Sequence, residues 1–166
     1  DYCYTVPNMN GFVLPSGVRM YGGFEGNETE INPDNLDNPA KDTRKYLDSD
    51  LSRMKYRSVL TADIEYDDVV STAWLIYPQN NKRTDNAQHV VTMNLAPTSA
   101  NPNSGNNPTV LNGFFVMGGN ARDSYGGGVY IADTSTDDNN TGERGYDVSR
   151  CFFTDNYAMQ GGAVYV

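Results

Sequence analysis

Gly113-Phe114-Phe115-Val116-Met117-Gly118-Gly119-Asn120-Ala121, followed by Gly127-Gly128-Val129-Tyr130, is echoed further along by Cys151-Phe152-Phe153, Asn156-Tyr157-Ala158 and Gly162-Ala163-Val164-Tyr165. Phe114-Phe115-Val116 aligns with Cys151-Phe152-Phe153, Asn120-Ala121 with Asn156-Tyr157-Ala158, and Gly127 to Tyr130 with Gly162 to Tyr165. The copies stand 36 residues apart at Asn120 and Asn156, and 35 apart at Tyr130 and Tyr165. One copy contains an Asp/Asn-rich loop that starts at Asp133, so the bare unit is roughly 20 to 25 residues, the length of one coil of a β-solenoid. Each coil offers short strands whose inward residues stack on the next coil and whose backbone pairs with it. The expected stacks hold Phe114 and Val116, then Cys151 and Phe153, then Val129 and Val164.

The polar residues of the repeat suit its corners. Asn120 and Asn156 close a strand before a turn, where Asn accepts left-handed geometry and bonds to the backbone and to an equivalent Asn. An asparagine ladder between them is expected. Gly22, Gly23, Gly127, Gly128, Gly161 and Gly162 are expected where a side chain would clash. The run at 126–128 is not a phosphate loop, because no Lys-Ser/Thr follows and no helical pattern begins there.

Outward from the repeat, the same grammar returns with long interruptions. Gly11-Phe12-Val13-Leu14, a Pro15-Ser16-Gly17 turn and Val18-Arg19-Met20-Tyr21 read as two strands, with Val18 and Met20 on one face. A polar excursion from Asn27 to about Arg57 includes Asp42 to Lys55, which reads as partly helical. Ser58 to Ile64 resumes a strand, Glu65 to Gln88 forms a second excursion, and His89 to Met93 starts the next strand. An Asn/Pro-rich loop runs from Ala96 to Pro108. Residues 1–166 therefore read as one all-β segment, a right-handed parallel β-helix seen from its N-terminal coils with long loop excursions. The apolar run that ends at Val166 points to further coils and an open coil end.

Composition bounds what such a chain does. Among 166 residues, 16 are Gly and 12 Tyr, a usage that favours strands and turns over helices. The formal charge of -9 repels phosphate backbones, so nucleic acid is excluded as a partner. No apolar run approaches the roughly 18 residues of a membrane span. Cys3 and Cys151 are far apart, lie in unlike contexts and have no Cys or His at metal spacing; Cys151 reads as a small core hydrophobe.

Gly17 to Thr29, Ser58 to Ile64, His89-Val90-Val91, Val110 to Ala121 and Gly161 to Tyr165, taken in order, resemble bacterial right-handed parallel β-helix repeat proteins of the pectin-lyase-like superfamily. They are also similar to polymorphic outer-membrane protein repeats. The resemblance implies an extracellular or bacterial cell-surface location. It also implies one of three roles. The first is a non-enzymatic module for adhesion, display or glycan contact; the second is a polysaccharide lyase or glycoside hydrolase whose cleft lies in coils beyond this segment. The third is an accessory subunit of an outer-membrane assembly. Enzymes of that superfamily use carboxylates with Arg or Lys on an exposed strand face, often with calcium. Here Asp63, Glu65, Asp67 and Asp68 form the densest acidic group, but only Asp63 sits in a strand-like motif. His89, the one histidine, suits a hydrogen bond at a coil corner. The loop from Asp133 to Glu143 has a calcium-like composition without the ligand spacing of an EF-hand. No catalytic or metal set is assigned, no cofactor is expected, and the expected partner is a glycan or a surface protein.

Overall fold

The computed structural model describes residues 2–6, 9–28, 31–36, 41–47, 50–68, 81–94, 108–132 and 145–166. Within them the chain is all-β, with one short helix at Pro33–Leu36 and one 3-10 turn at Asn81–Thr84. Strands β1 (Tyr2–Thr5), β2 (Phe12–Pro15) and β3 (Arg19–Tyr21) each begin a different sheet. After the hairpin of β4 (Tyr46–Leu47) and β5 (Asp50–Met54), the strands β6 (Ser58–Thr61), β7 (Val91–Asn94) and β8 (Thr109–Asn112) pair with them in the same order. The next circuit is β9 (Phe114–Met117), β10 (Asn120–Tyr125), β11 (Val129–Ala132) and β12 (Tyr146–Ser149). The last is β13 (Phe152–Thr154), β14 (Tyr157–Gln160) and β15 (Val164–Tyr165).

The result is three parallel sheets, β1-β6-β9-β13, β2-β7-β11-β15 and β3-β8-β12, with β10 and β14 paired at the corner between the first two. Strand alternation sends every second side chain inward, and register then stacks like on like. In the first sheet Tyr4, Leu60, Val116 and Phe153 are in register. Phe12, Val91, Val129 and Val164 form the column of the second sheet, with Leu14, Met93 and Ile131 beside it. Met20, Leu111 and Val148 complete the third. Leu60, Val91, Met93, Leu111, Val116 and Val129 are wholly buried. Strands covered on both faces are what parallel sheets require, and β6, β8 and β9 are buried along their whole length.

The Phe114, Val116, Cys151, Phe153, Val129 and Val164 stacks lie in this core as expected. Phe115 pairs with Phe152 and Val129 with Val164, so the sequence alignment holds at both ends of the repeat. It slips by one residue in the middle. Asn120 is in register with Tyr157, not Asn156, and the register then shifts between Ala121 and Tyr125. The asparagine ladder between Asn120 and Asn156 therefore does not form. Asn156 instead fits under Gly119, accepting from its N–H at 3.0 Å and donating to Val116 O at 2.9 Å. Asn120 donates to Arg83 O at 2.7 Å. Each amide braces backbone at a corner, which satisfies groups that no strand pairs.

Corners are also where backbone meets backbone. A Cβ on Gly119 would lie 1.8 Å from Gly127 O, inside any contact distance. Gly22 and Gly113 face each other so closely that a Cβ on either would fall within 2.8 Å of the other's carbonyl oxygen. Gly127, Gly128 and Gly161 are equally confined, Gly162 less so, and Gly23 takes a left-handed φ of 88°.

The helix expected within Asp42 to Lys55 is a correction: the segment forms the antiparallel β4–β5 pair. Leu47, Leu51 and Met54 have helical spacing, but tertiary anchoring overrides it. Arg44 holds the chain extended. Its Nη1 donates to Gly22 O at 2.8 Å, Nη2 to Asn112 Oδ1 at 2.8 Å and Nε to Asp42 Oδ1 at 3.0 Å. Lys55 N then donates to Lys45 O at 2.8 Å. Arg150, at the corner before β13, also donates to Asp42 Oδ2 and to Leu36 O. Asp42 and Arg44 side chains are 0% and 1% exposed, a buried ion pair fully enclosed by hydrogen bonds.

Two stability outcomes follow from these contacts. Gly119→Ala is expected to cost about 3 kcal/mol or more by overpacking, read as a lower urea midpoint at unchanged slope. Arg44→Ala is expected to cost about 3 kcal/mol, the lower end for a broken buried pair because Arg150 still faces Asp42.

Candidate functional site

The acidic group read from the sequence gathers at the corner after β6. Asp63 follows Ala62, whose N–H still pairs with Met117 O at 3.0 Å, so the sheet itself fixes where Asp63 begins. Its N–H donates to Thr61 Oγ1 at 3.2 Å, and Thr5 Oγ1 donates to its carbonyl. The Asp63 carboxylate then folds the following loop over itself, accepting from Asp67 N at 3.2 Å and Asp68 N at 3.1 Å. Tyr66 turns through a left-handed φ of 57° to allow this.

A second stretch closes the corner. After the Asn81–Thr84 turn, Asp85 accepts from Glu65 N at 3.0 Å, and Ala87 N pairs with Ala62 O at 3.0 Å. Carboxylate oxygens of Asp63, Asp67 and Asp85 all come within 4.8 Å of one another. Asn86, 2% exposed, lies between this group and the next circuit: its Nδ2 is 2.8 Å from Asp68 Oδ2 and 2.7 Å from Gly118 O. Burial raises the Asp68 carboxyl above its ordinary value, with Asp63 and Asp85 adding to it against the Asn86 hydrogen bond and the charge of Arg83.

Of the four acidic residues singled out from sequence, Asp63, Asp67 and Asp68 meet here, while Glu65 contributes its backbone N–H. Asp85 and Asn86 were missed, since Glu65 to Gln88 reads as one polar excursion. The available signal was the Asp85-Asn86 pair a short step before His89-Val90-Val91, with only Ala87 and Gln88 between. Asp63 is 7% exposed at a corner, not on an open strand face. A general acid and base must reach a scissile bond, whereas this geometry gathers oxygen atoms around one point.

A different feature occupies the outer face of the second sheet. Tyr130 alternates with the inward Val129 and Ile131, and so points outward. His89 stacks on it at 4.9 Å between centroids and an 18° interplanar angle. Tyr165 lies 6.0 Å from Tyr130 at 11°, and Tyr125 lies 4.6 Å from Tyr165 at 18°. His89 Nδ1 is 2.8 Å from Gly126 O; a carbonyl only accepts, so Nδ1 carries the proton. The hydrogen bond expected of His89 at a corner is thus made, within an aromatic column that sequence reading did not reveal.

The glycines expected at corners, Gly22, Gly23, Gly127, Gly128, Gly161 and Gly162, and the two Asn residues lie between strands or at a strand's first residue, and Asn120 borders the acidic corner, its N–H donating to Ala87 O at 3.0 Å and its Nδ2 to Arg83 O. The loop from Asp133 to Glu143 lies outside the described residues. No helix among the described residues is long and apolar enough to cross a membrane.

Cys3 is exposed, and Cys151 is turned toward the core with Sγ 3.5 Å from Leu111 O. Burial pushes the Cys151 thiol up to about 11. Its ionisation in the unfolded chain comes first, near 9, so its contribution to stability is complete below that pH and is lost as pH rises through about 11. A thiol reagent at pH 8 is expected to modify Cys3 and spare Cys151 in the native protein, and to modify both in denaturant; mass spectrometry of peptides reads the outcome. Comparison of the chain with protein-family models, curated proteins and solved structures finds no match.

Proposed function

We propose that the chain is a segment of right-handed parallel β-helix, related to the pectin-lyase-like repeat proteins it resembles, and serves as a non-enzymatic secreted or cell-surface module for glycan contact. Support for the architecture is the cyclic order in which successive strands join the three sheets. Connections between parallel strands of one sheet are right-handed in about 98% of cases, which supports the hand. Support for the contact is one observation: the aromatic column in which Tyr130 and Tyr165, on strands of the second sheet, stack with His89 just before β7 and with Tyr125 at the end of β10.

Tyr and His rings join an apolar body to a polar tip. A sugar ring presents the same division, with C–H faces and hydroxyl edges. With Tyr130 and Tyr165 mounted on a sheet whose other face is the packed core, the column has little conformational freedom to lose on binding. The acidic group, gathered at a corner with Asp63 buried and not spread along an open strand face, favours a module over the hydrolase or lyase alternative.

The test is binding of the protein to an array of bacterial and host glycans, followed by substitution of the column. Tyr125→Ala and Tyr130→Ala are expected to weaken any glycan bound by about tenfold each, close to 1.4 kcal/mol, with an unchanged circular dichroism spectrum. Binding that survives both substitutions, or release of reducing or unsaturated ends from a polysaccharide, overturns the reading.

A further inference from the structure

We infer that the corner formed by Asp63, Asp67, Asp85 and Asn86 is a calcium site. Three carboxylates with oxygens within 4.8 Å of one another match the span of one ion, since two ligands on opposite sides of calcium stand about 4.8 Å apart. All the donors are oxygen, the preference of a hard cation and not of zinc or copper. A chain with a formal charge of -9 adds a favourable field.

Asn86 is the independent indication. Its side chain is buried, and its Oδ1 has no hydrogen-bond partner among the described residues. A buried acceptor left unsatisfied is costly, and an amide oxygen is a common neutral ligand for calcium. The carboxamide is held against the acidic group by its own Nδ2, 2.8 Å from Asp68 Oδ2, and follows Asp85 in the chain. Arg83, the cation nearest in sequence, is 4.0 Å from Asp155 on the neighbouring circuit.

The site also joins separate elements. Asp63 continues the first sheet, Asp85 precedes the second, and Asn86 bonds to Gly118 of the next circuit. An ion there fastens the second excursion at both of its ends.

Tyr66, 65% exposed between Glu65 and Asp67, makes the test direct, because a tyrosine in the loop sensitises bound terbium. The experiment titrates terbium into the protein, excites tyrosine and competes with calcium. Saturable displacement is expected with a midpoint of about 0.1 to 1 mM, the range of extracellular calcium modules. Asp85→Asn, which keeps an oxygen acceptor for Glu65 N, is expected to raise that midpoint at least tenfold with the fold intact. Tyr66→Phe is expected to lower the emission at saturation and leave the midpoint unmoved. The inference is overturned by no saturable displacement up to about 10 mM calcium, by equal displacement with magnesium, or by an unchanged midpoint in Asp85→Asn. Emission unaffected by Tyr66→Phe also overturns it, since the ion would then sit elsewhere. None of these outcomes depends on glycan binding.

Discussion

Neighbouring circuits must stay at sheet spacing, about 4.8 Å, all the way round, corners included. Strands meet that demand through their ladders; corners have no ladder and meet it through residue choice. At Gly119 the carbonyl of Gly127 occupies the place of a side chain, and at Gly22 and Gly113 two corners touch through backbone alone. Asn156 does the complementary work, its amide supplying bonds where the ladder is interrupted, and Asn112, at the end of β8, binds Arg44 and Ser149 through its own amide. Once the corners close, the inward columns of Leu60 and Val116, Val91 and Val129, and Met20 and Leu111 fall into register without further instruction.

That division explains what was legible from the sequence. Phe115 over Phe152 and Val129 over Val164 are visible as a repeat, because stacked positions ask for the same kind of residue. The shift between Ala121 and Tyr125 is not visible, because a bulge adds residues without changing their type. The offset set by Phe115 and Phe152 runs unchanged through Asn120 and Ala121 and changes only after them, so aligning Asn120 with Asn156 by residue identity places the shift too early and misses the true partner by one position. The Asp42 to Lys55 segment was misread for a related reason. Its local pattern is ambiguous, and what decides its conformation is Arg44 reaching Gly22 and Asn112, contacts distant in sequence.

The candidate sites follow the same logic. Asp63, Asp67 and Asp68 could be listed together because they are neighbours along the chain, whereas Asp85 and Asn86 join them only when β7 is laid beside β2 and the second excursion returns to the corner. Likewise His89, Tyr130 and Tyr165 belong to three different circuits, and their stack exists only once those circuits are in register. Both candidate sites are assembled across circuits, from residues that look unrelated in linear order.

The parallel register underlies every column and both candidate sites, and nuclear Overhauser contacts in the isotopically labelled protein report on it without intermediaries. Parallel neighbours place amide protons of one circuit near α-protons of the next, so the account predicts Hα–HN contacts linking the Val129 region to the Val91 and Val164 regions, and the Val116 region to those of Leu60 and Phe153. Strong Hα–Hα contacts between consecutive strands that belong to different parallel sheets, such as β8 with β9 or β2 with β3, are the mark of antiparallel hairpins and would exclude it.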